Sequence, residues 1–209
     1  MTEPEHEPRP KRIAVLISGR GSNMTALADA VRAGRCGRAE IVLVLSDTAA
    51  AAGLAGAAER GLETRVVERR GRTREEHERE IIAHLRARGV EIVCLAGYMR
   101  LLSPRFVEEF RGRVLNIHPS LLPAFPGLDA QRQALAHGVR VSGCTVHFVD
   151  ETLDGGPIIT QRVVAVEDSD TEATLSARIL AEEHRAYPDA LAIVVGGRYE
   201  VAGRRVIRK

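Results

Sequence analysis

Short apolar runs at residues 13–18, 41–46, 64–67, 91–96 and 114–118 alternate with segments of helical character. Each run is too short for a helix and carries the Val, Ile and Leu expected of a strand buried on both faces. The segments between them, about 24–33, 48–60 and 74–88 with a shorter one after Pro104, are long enough for one helix each. Gly61 and Gly89 stop the second and third, and Ile81, Ile82 and Leu85 form the inward stripe of the third. Strands joined by helical crossovers run parallel and need helices on both faces of the sheet. The alternation therefore predicts an open, Rossmann-like α/β sheet.

Beyond His118 the pattern changes. Residues 121–129 read as a loop with Pro123, Pro126 and Gly127, followed by a helix at about 131–137. Two strands, 143–149 and 157–166, are separated by a segment too short for a crossover, so they pair as an antiparallel hairpin. A helix at 171–187, capped by Thr171 or Asp170, precedes a small hairpin at 198–207 around Ala202 and Gly203. With no internal repeat and no linker, 209 residues fit one domain, expected at 12–209 behind a disordered tail at 1–11 that holds His6.

Composition removes several classes. Thirty basic and 28 acidic side chains nearly cancel, and aromatics are 3%, so no nucleic-acid surface is expected. Trp is absent, and the core must be aliphatic. Cys36, Cys94 and Cys144 are odd in number and far apart, which argues against a disulfide framework or a zinc cluster and for a reducing compartment. The first eleven residues lack the apolar core of a signal peptide, and no run reaches membrane-spanning length. A cytoplasmic location is expected.

Four places carry candidate chemistry. Asn116 and His118 share a face, and Pro119, which has no N–H, ends their strand at the sheet's rim. Open α/β sheets bind ligands there; the plainer alternative is a buried pair satisfying loop backbone. The turn holding Gly19, Gly21, Ser22 and Asn23 opens a helix and suits a phosphate. It lacks the Gly-Lys-Ser/Thr of a P-loop, and Met24 occupies the third glycine position of a dinucleotide fingerprint. Asp47, at the end of the second strand, keeps a ribose-binding acid open, and an empty tight turn is the other reading. Asp154 tips a turn with Gly155 and Gly156; beside a histidine it would favour the imidazolium, and alone it would make an ordinary turn hydrogen bond. Glu183 lies four residues beyond Ile179 and eight beyond Leu175, so it faces inward and needs a partner, either a cationic substrate group or a structural Arg. His77 and His84 lack the spacing of metal ligands, and His147, among Cys144, Val146 and Phe148, reads as a satisfied interior residue.

Taken in order, the motifs at 18–23, 95–104, 115–123 and 153–157 resemble those of the phosphoribosylglycinamide formyltransferase family, over about residues 13–187. The resemblance implies formyl transfer from 10-formyltetrahydrofolate to the amine of 5'-phosphoribosylglycinamide, a step of purine synthesis. It places catalysis on Asn116, His118 and Asp154, the phosphate on Gly21, Ser22 and Asn23, and the glycinamide end on Glu183 and Pro119. Folate contacts fall on Arg74, Met99, Arg100, Leu101, Leu102, Val149, Asp150 and Leu153. Folate is a cosubstrate; no permanently bound cofactor, metal, nucleic acid or membrane is implied, and monomer or homodimer stays open. Asp129 stands where some members carry His, and Leu180 where some carry Gln. A related deformylase usually has an added N-terminal domain and methionyl-tRNA formyltransferase an added C-terminal one, and this length has room for neither. Hydrolysis of the same formyl donor is the alternative within the class; a non-catalytic nucleotide-binding module is the alternative outside it.

Overall fold

The first apolar run becomes β1 (Lys11–Ile17), whose last five residues are fully buried. Alternate residues on a strand point to opposite faces. Ile13, Val15 and Ile17 accordingly enter one core, and Ala14 and Leu16 the other. The structure, a computed structural model, describes residues 9–209. β1 pairs in parallel with β2 (Ala39–Ser46) on one side and with β4 (Ile92–Leu95) on the other. β3 (Thr64–Val66) extends the sheet beyond β2, and β5 (Val114–His118) extends it beyond β4, both parallel. The chain thus leaves β1 in one direction and returns on its other side. The connections that follow β1 and β4 leave toward opposite faces of the sheet, and a crevice opens between them.

β6 (Val141–Phe148) runs antiparallel to β5, and β7 (Ile158–Ala165) antiparallel to β6, as the short connection requires. The terminal hairpin of β8 (Tyr199–Ala202) and β9 (Arg205–Arg208) joins through β9, giving the order β3-β2-β1-β4-β5-β6-β7-β9-β8. The face of Ile13 and Val15 is covered by α1 (Ser22–Arg32), α2 (Gly53–Glu59), α5 (Ala130–Ala136) and α6 (Glu172–Gly196). The opposite face carries α3 (Arg74–Ala87) and α4 (Pro104–Glu109). Ile81, Ile82 and Leu85 of α3 are buried as expected, and so are His77 and Glu78. Both polar side chains are partnered: a His77 ring nitrogen meets the Val67 carbonyl at 2.7 Å, and Glu78 accepts the Ser103 N–H at 2.9 Å. Among the described residues no helix is long and apolar enough to cross a membrane.

Several boundaries differ from the sequence reading, three of them for a reason the structure shows. Lys11, within the expected tail, already pairs with Ala39; residues 1–8, with His6, lie outside the described residues. The Ala-rich helix begins at Gly53, not at residue 48. The Ser46 hydroxyl donates to the Thr48 carbonyl and accepts its N–H, and Ala50 N–H donates to the Thr48 side chain. Such side-chain bonds give the backbone an alternative to the helix. Finally, α6 runs through Pro188 to Gly196 instead of stopping at Tyr187. Proline removes one hydrogen bond, but Ala186, Tyr187, Ala190, Leu191 and Val194 continue the buried stripe on both sides of it.

One contact fixes the start of α1 at the crevice. Gly21 has φ of 74°, and a Cβ there would lie 2.6 Å from the Cα of Gly53. Gly53 N–H in turn donates to the Gly19 carbonyl at 3.0 Å. The two backbones cross where no side chain fits. Gly61 has a similar φ, 71°, but open space around it. Gly61→Ala should lose about 1–2 kcal/mol, the left-handed cost alone. Gly21→Ala should lose at least about 1 kcal/mol more, because backbone must shift as in an overpacked core. Urea unfolding followed by circular dichroism checks this; equal losses would show that the crossing is loose.

Candidate active site

β5 ends on Asn116, half-buried, and on His118, 5% exposed. Antiparallel register sets Asn116 opposite His147 and His118 opposite Thr145. Residues directly opposite share a face, so four polar side chains gather at one rim. The His118 Nε2 lies 2.8 Å from the Phe125 carbonyl, to which its N–H donates, and Nδ1 lies 3.3 Å from Asp154 Oδ2. The Asn116 amide nitrogen is 3.3 Å from His147 Nε2, and His147 Nδ1 is 2.8 Å from the Phe148 carbonyl. Burial pushes the His147 pKa down against the opposing pull of the Phe148 carbonyl and Asp154.

The β6–β7 loop delivers Asp154. Its φ is 48°, a left-handed conformation that Asp tolerates better than most residues. A Cβ on Gly156 would fall 1.9 Å from the Phe148 carbonyl oxygen, so only glycine lets the chain turn back here. Asp154 Oδ2 accepts the Gly127 N–H at 2.8 Å, and Oδ1 lies 3.7 Å from His147 Nε2. The acid expected near His118 is therefore beside it, between two histidines.

At the other end of the crevice α1 presents its N-terminus. Its first turn carries no acidic residue, and the leading N–H groups of a helix have no intrahelical acceptors. Gly21, Ser22 and Asn23 lie there. The Asn23 side chain is not free for an anion: its amide donates to Glu183 Oε2 at 2.7 Å, leaving Asn23 Oδ1 buried with no partner among the described residues. Glu183 is 7% exposed, and burial raises its pKa against the lowering effect of Asn23 and Arg20. The inward carboxylate thus pairs with a carboxamide, not with a structural Arg.

Both ends open into one cleft of about 1100 Å³. Gly21, Ser22, Asn23, Asn116, His118, Pro119, Asp154 and Glu183 all line it, as do Arg74, Met99, Arg100, Leu101, Leu102, Val149, Asp150 and Leu153. Met99 is fixed over the crevice by its N–H to the Ser18 hydroxyl, 3.0 Å. Asp129 and Leu180, the two departures, are on the wall; Asp47 is not. Sequence reading missed the Phe125 carbonyl, the Gly127 N–H, Arg20 and the contact of His147 with Asn116. Only the last left a trace, in that Thr145 and His147 alternate as Asn116 and His118 do.

Residues 11–191 match the family described as Formyl transferase. The chain is 42% identical to the phosphoribosylglycinamide formyltransferase of Escherichia coli (strain K12), over 90% of this chain and 89% of that one. It is 52% identical to the trifunctional purine biosynthetic protein adenosine-3 of Drosophila pseudoobscura pseudoobscura, covering 91% of this chain but only 14% of that protein's length. The crystal structure of glycinamide ribonucleotide transformylase 1 from Symbiobacterium toebii superposes with a TM-score of 0.95 at 47% identity, over 99% of this chain and 98% of that one. With the fold, the cleft and near full-length similarity in agreement, the chain belongs to the formyl transferase family.

Proposed function

We propose that this chain transfers the formyl group of 10-formyltetrahydrofolate to the primary amine of 5'-phosphoribosylglycinamide, a step of de novo purine synthesis in the cytoplasm. The observation that carries the reading is the single cleft joining an anion-ready helix N-terminus to the Asn116, His118 and Asp154 cluster. A phosphorylated acceptor and a formyl donor must meet, and each end of this cleft suits one of them. The active domain starts at Lys11, the first paired residue of β1.

The N–H groups of Gly21, Ser22 and Asn23 and the Ser22 hydroxyl hold the phosphate, with Arg20 on the same wall. Glu183 and the Pro119 carbonyl accept N–H groups of the glycinamide end. Met99, Leu101 and Leu153, exposed by 68%, 61% and 54%, are apolar surface awaiting the flat folate rings, with Leu102 and Val149 beside them. Asp150 accepts pterin N–H groups, and Arg74 and Arg100 take the folate carboxylates.

The amine lone pair attacks the formyl carbon, a C–N bond forms, and the carbonyl electrons move to oxygen. Asn116 and His118 donate to that oxyanion, the largest stabilising effect in acyl transfer. The contact of His118 Nδ1 with Asp154, at 3.3 Å, is the looser of its two, and that edge of the ring turns to the substrate. Asp154 receives the amine proton, directly or through water. Collapse then breaks the bond to folate N10, which leaves with a proton as tetrahydrofolate. Formylglycinamide ribonucleotide is the other product, and no step is assigned to a metal.

Formyl release should be slow without phosphoribosylglycinamide and rise by orders of magnitude with it, because positioning the amine supplies an effective concentration that bulk water lacks. A folate absorbance assay reads this; rapid formate production indifferent to the acceptor would establish a deformylase instead. Asp154→Asn should cut kcat by about two to four powers of ten, as for lost acid–base assistance, with folate binding retained. A near-normal kcat would reduce Asp154 to a turn residue. Glu183→Ala should raise the acceptor KM by roughly ten- to a hundredfold, the loss of a charged hydrogen bond. Its folate KM should stay within about twofold, the scatter of a remote site; equal changes in both would move Glu183 out of the acceptor subsite.

A further inference from the structure

We infer that His147 is a positioning residue: it orients the Asn116 carboxamide so that one amide N–H stays aimed at the reacting oxygen. This rests on the formyl-transfer reading above. The two Cα atoms are register partners across β5 and β6, and His147 is 1% exposed. Its Nδ1 lies 2.8 Å from the Phe148 carbonyl oxygen. Two acceptors at that distance would repel, so Nδ1 carries a proton and donates. A neutral imidazole has one N–H, and Nε2 is then a bare lone pair. That lone pair sits 3.3 Å from the Asn116 side-chain nitrogen. The amide donates to it; turned over, it would set its own oxygen against the lone pair with no proton between them. The Phe148 carbonyl therefore selects the tautomer, and the tautomer selects the amide orientation. An NH2 group has two hydrogens, and the second is left for the oxyanion.

The charge state of the ring matters for the same reason. Burial and His118 oppose the cation; the Phe148 carbonyl, Asp154, with Oδ1 3.7 Å from Nε2, and Asp150 favour it, and burial prevails. A proton on Nε2 would face the amide with another donor. The carboxamide would turn its oxygen to the ring, and the oxyanion would lose its donor. The role of His147 is thus to accept, which a residue that merely fills space does not need to do.

Nitrogen-15 NMR of the intact protein tests the tautomer without turnover. A proton coupled to Nδ1 and none to Nε2 at neutral pH is expected; a proton on Nε2 overturns the inference. In kinetics, His147→Leu should lower kcat by about ten- to a hundredfold, less than outright loss of an oxyanion donor. Both KM values should stay within about threefold, since uniform binding is untouched. His147→Gln, whose amide oxygen reaches the Nε2 position, should recover most of the loss. In an Asn116→Ala background the His147→Leu loss should shrink to under about threefold, the signature of one residue acting through another. Losses that multiply in the double variant, in a chain that transfers formyl groups, overturn the role of His147 alone. A parent chain without formyl transfer overturns the functional reading as well.

Discussion

Four register pairs join β5 to β6, and the end of the cleft that holds Asn116, His118 and Asp154 hangs from them. A parallel neighbour at this place would need a helical crossover. β6 instead runs antiparallel after the connection through α5, and the loop that follows it carries Asp154 to His118. Thr145, opposite His118, donates to the Ser120 carbonyl at 2.7 Å and accepts the Leu122 N–H at 3.0 Å. It thereby pins the loop that supplies the Phe125 carbonyl and the Gly127 N–H. A slip of one residue would turn Ile117 and Val146 toward the ligand and the polar groups into the core. The alternation of apolar and polar residues on both strands makes that slip costly, and the site inherits its precision from the hydrophobic register.

The acceptor end depends on α6. Glu183 is on its buried stripe, and a carboxylate there costs free energy unless partnered. One turn further on, the Tyr187 hydroxyl lies 3.0 Å from the carbonyl oxygens of both Leu95 and Leu115, one proton shared by β4 and β5. These are the strands that end at the crevice and at Asn116. The helix that carries Glu183 is thus clamped to β4 and to the strand that carries Asn116 and His118. Its continuation through Pro188 extends the buried stripe to Val194 and anchors the clamp from the far side.

The order of strands and helices was legible because parallel α/β sheets write themselves as buried runs between amphipathic segments. β5 was read to the residue, since Pro119 marks its end. Local chemistry defeated the reading at Thr48, where side-chain bonds replace a helical turn, and tertiary packing defeated it at Pro188. In the site, Asn116, His118, Asp154 and Glu183 announced themselves as polar residues at a rim or on an apolar stripe. Their partners did not. The Phe125 carbonyl and the Gly127 N–H are backbone groups with no side-chain signature. The Asn23 amide looked like a phosphate ligand because its turn opens a helix; that it faces Glu183 depends on how α1 packs against α6, which periodicity does not encode. His147 looked bland because one histidine on a buried strand gives no hint of which nitrogen carries the proton.

The distribution of polar groups along the cleft favours an amine acceptor over water. Donors gather at the start of α1, suited to an anion. Acceptors follow: Glu183, and the Asn23 oxygen that no group among the described residues satisfies. An unpaired buried acceptor is destabilising in the free protein. It is tolerated at a place where a ligand brings an N–H or O–H to it. A hydrolase needs only a water molecule at the formyl carbon and gains nothing from such a row. In the proposed function, donors for phosphate, acceptors for the groups that follow, and then Asn116 and His118 at the oxyanion form a sequence that matches one extended molecule ending in a nucleophilic amine. The cost of burying those acceptors is offset when that molecule binds, and the binding free energy is then spent where the amine must be held against the formyl carbon.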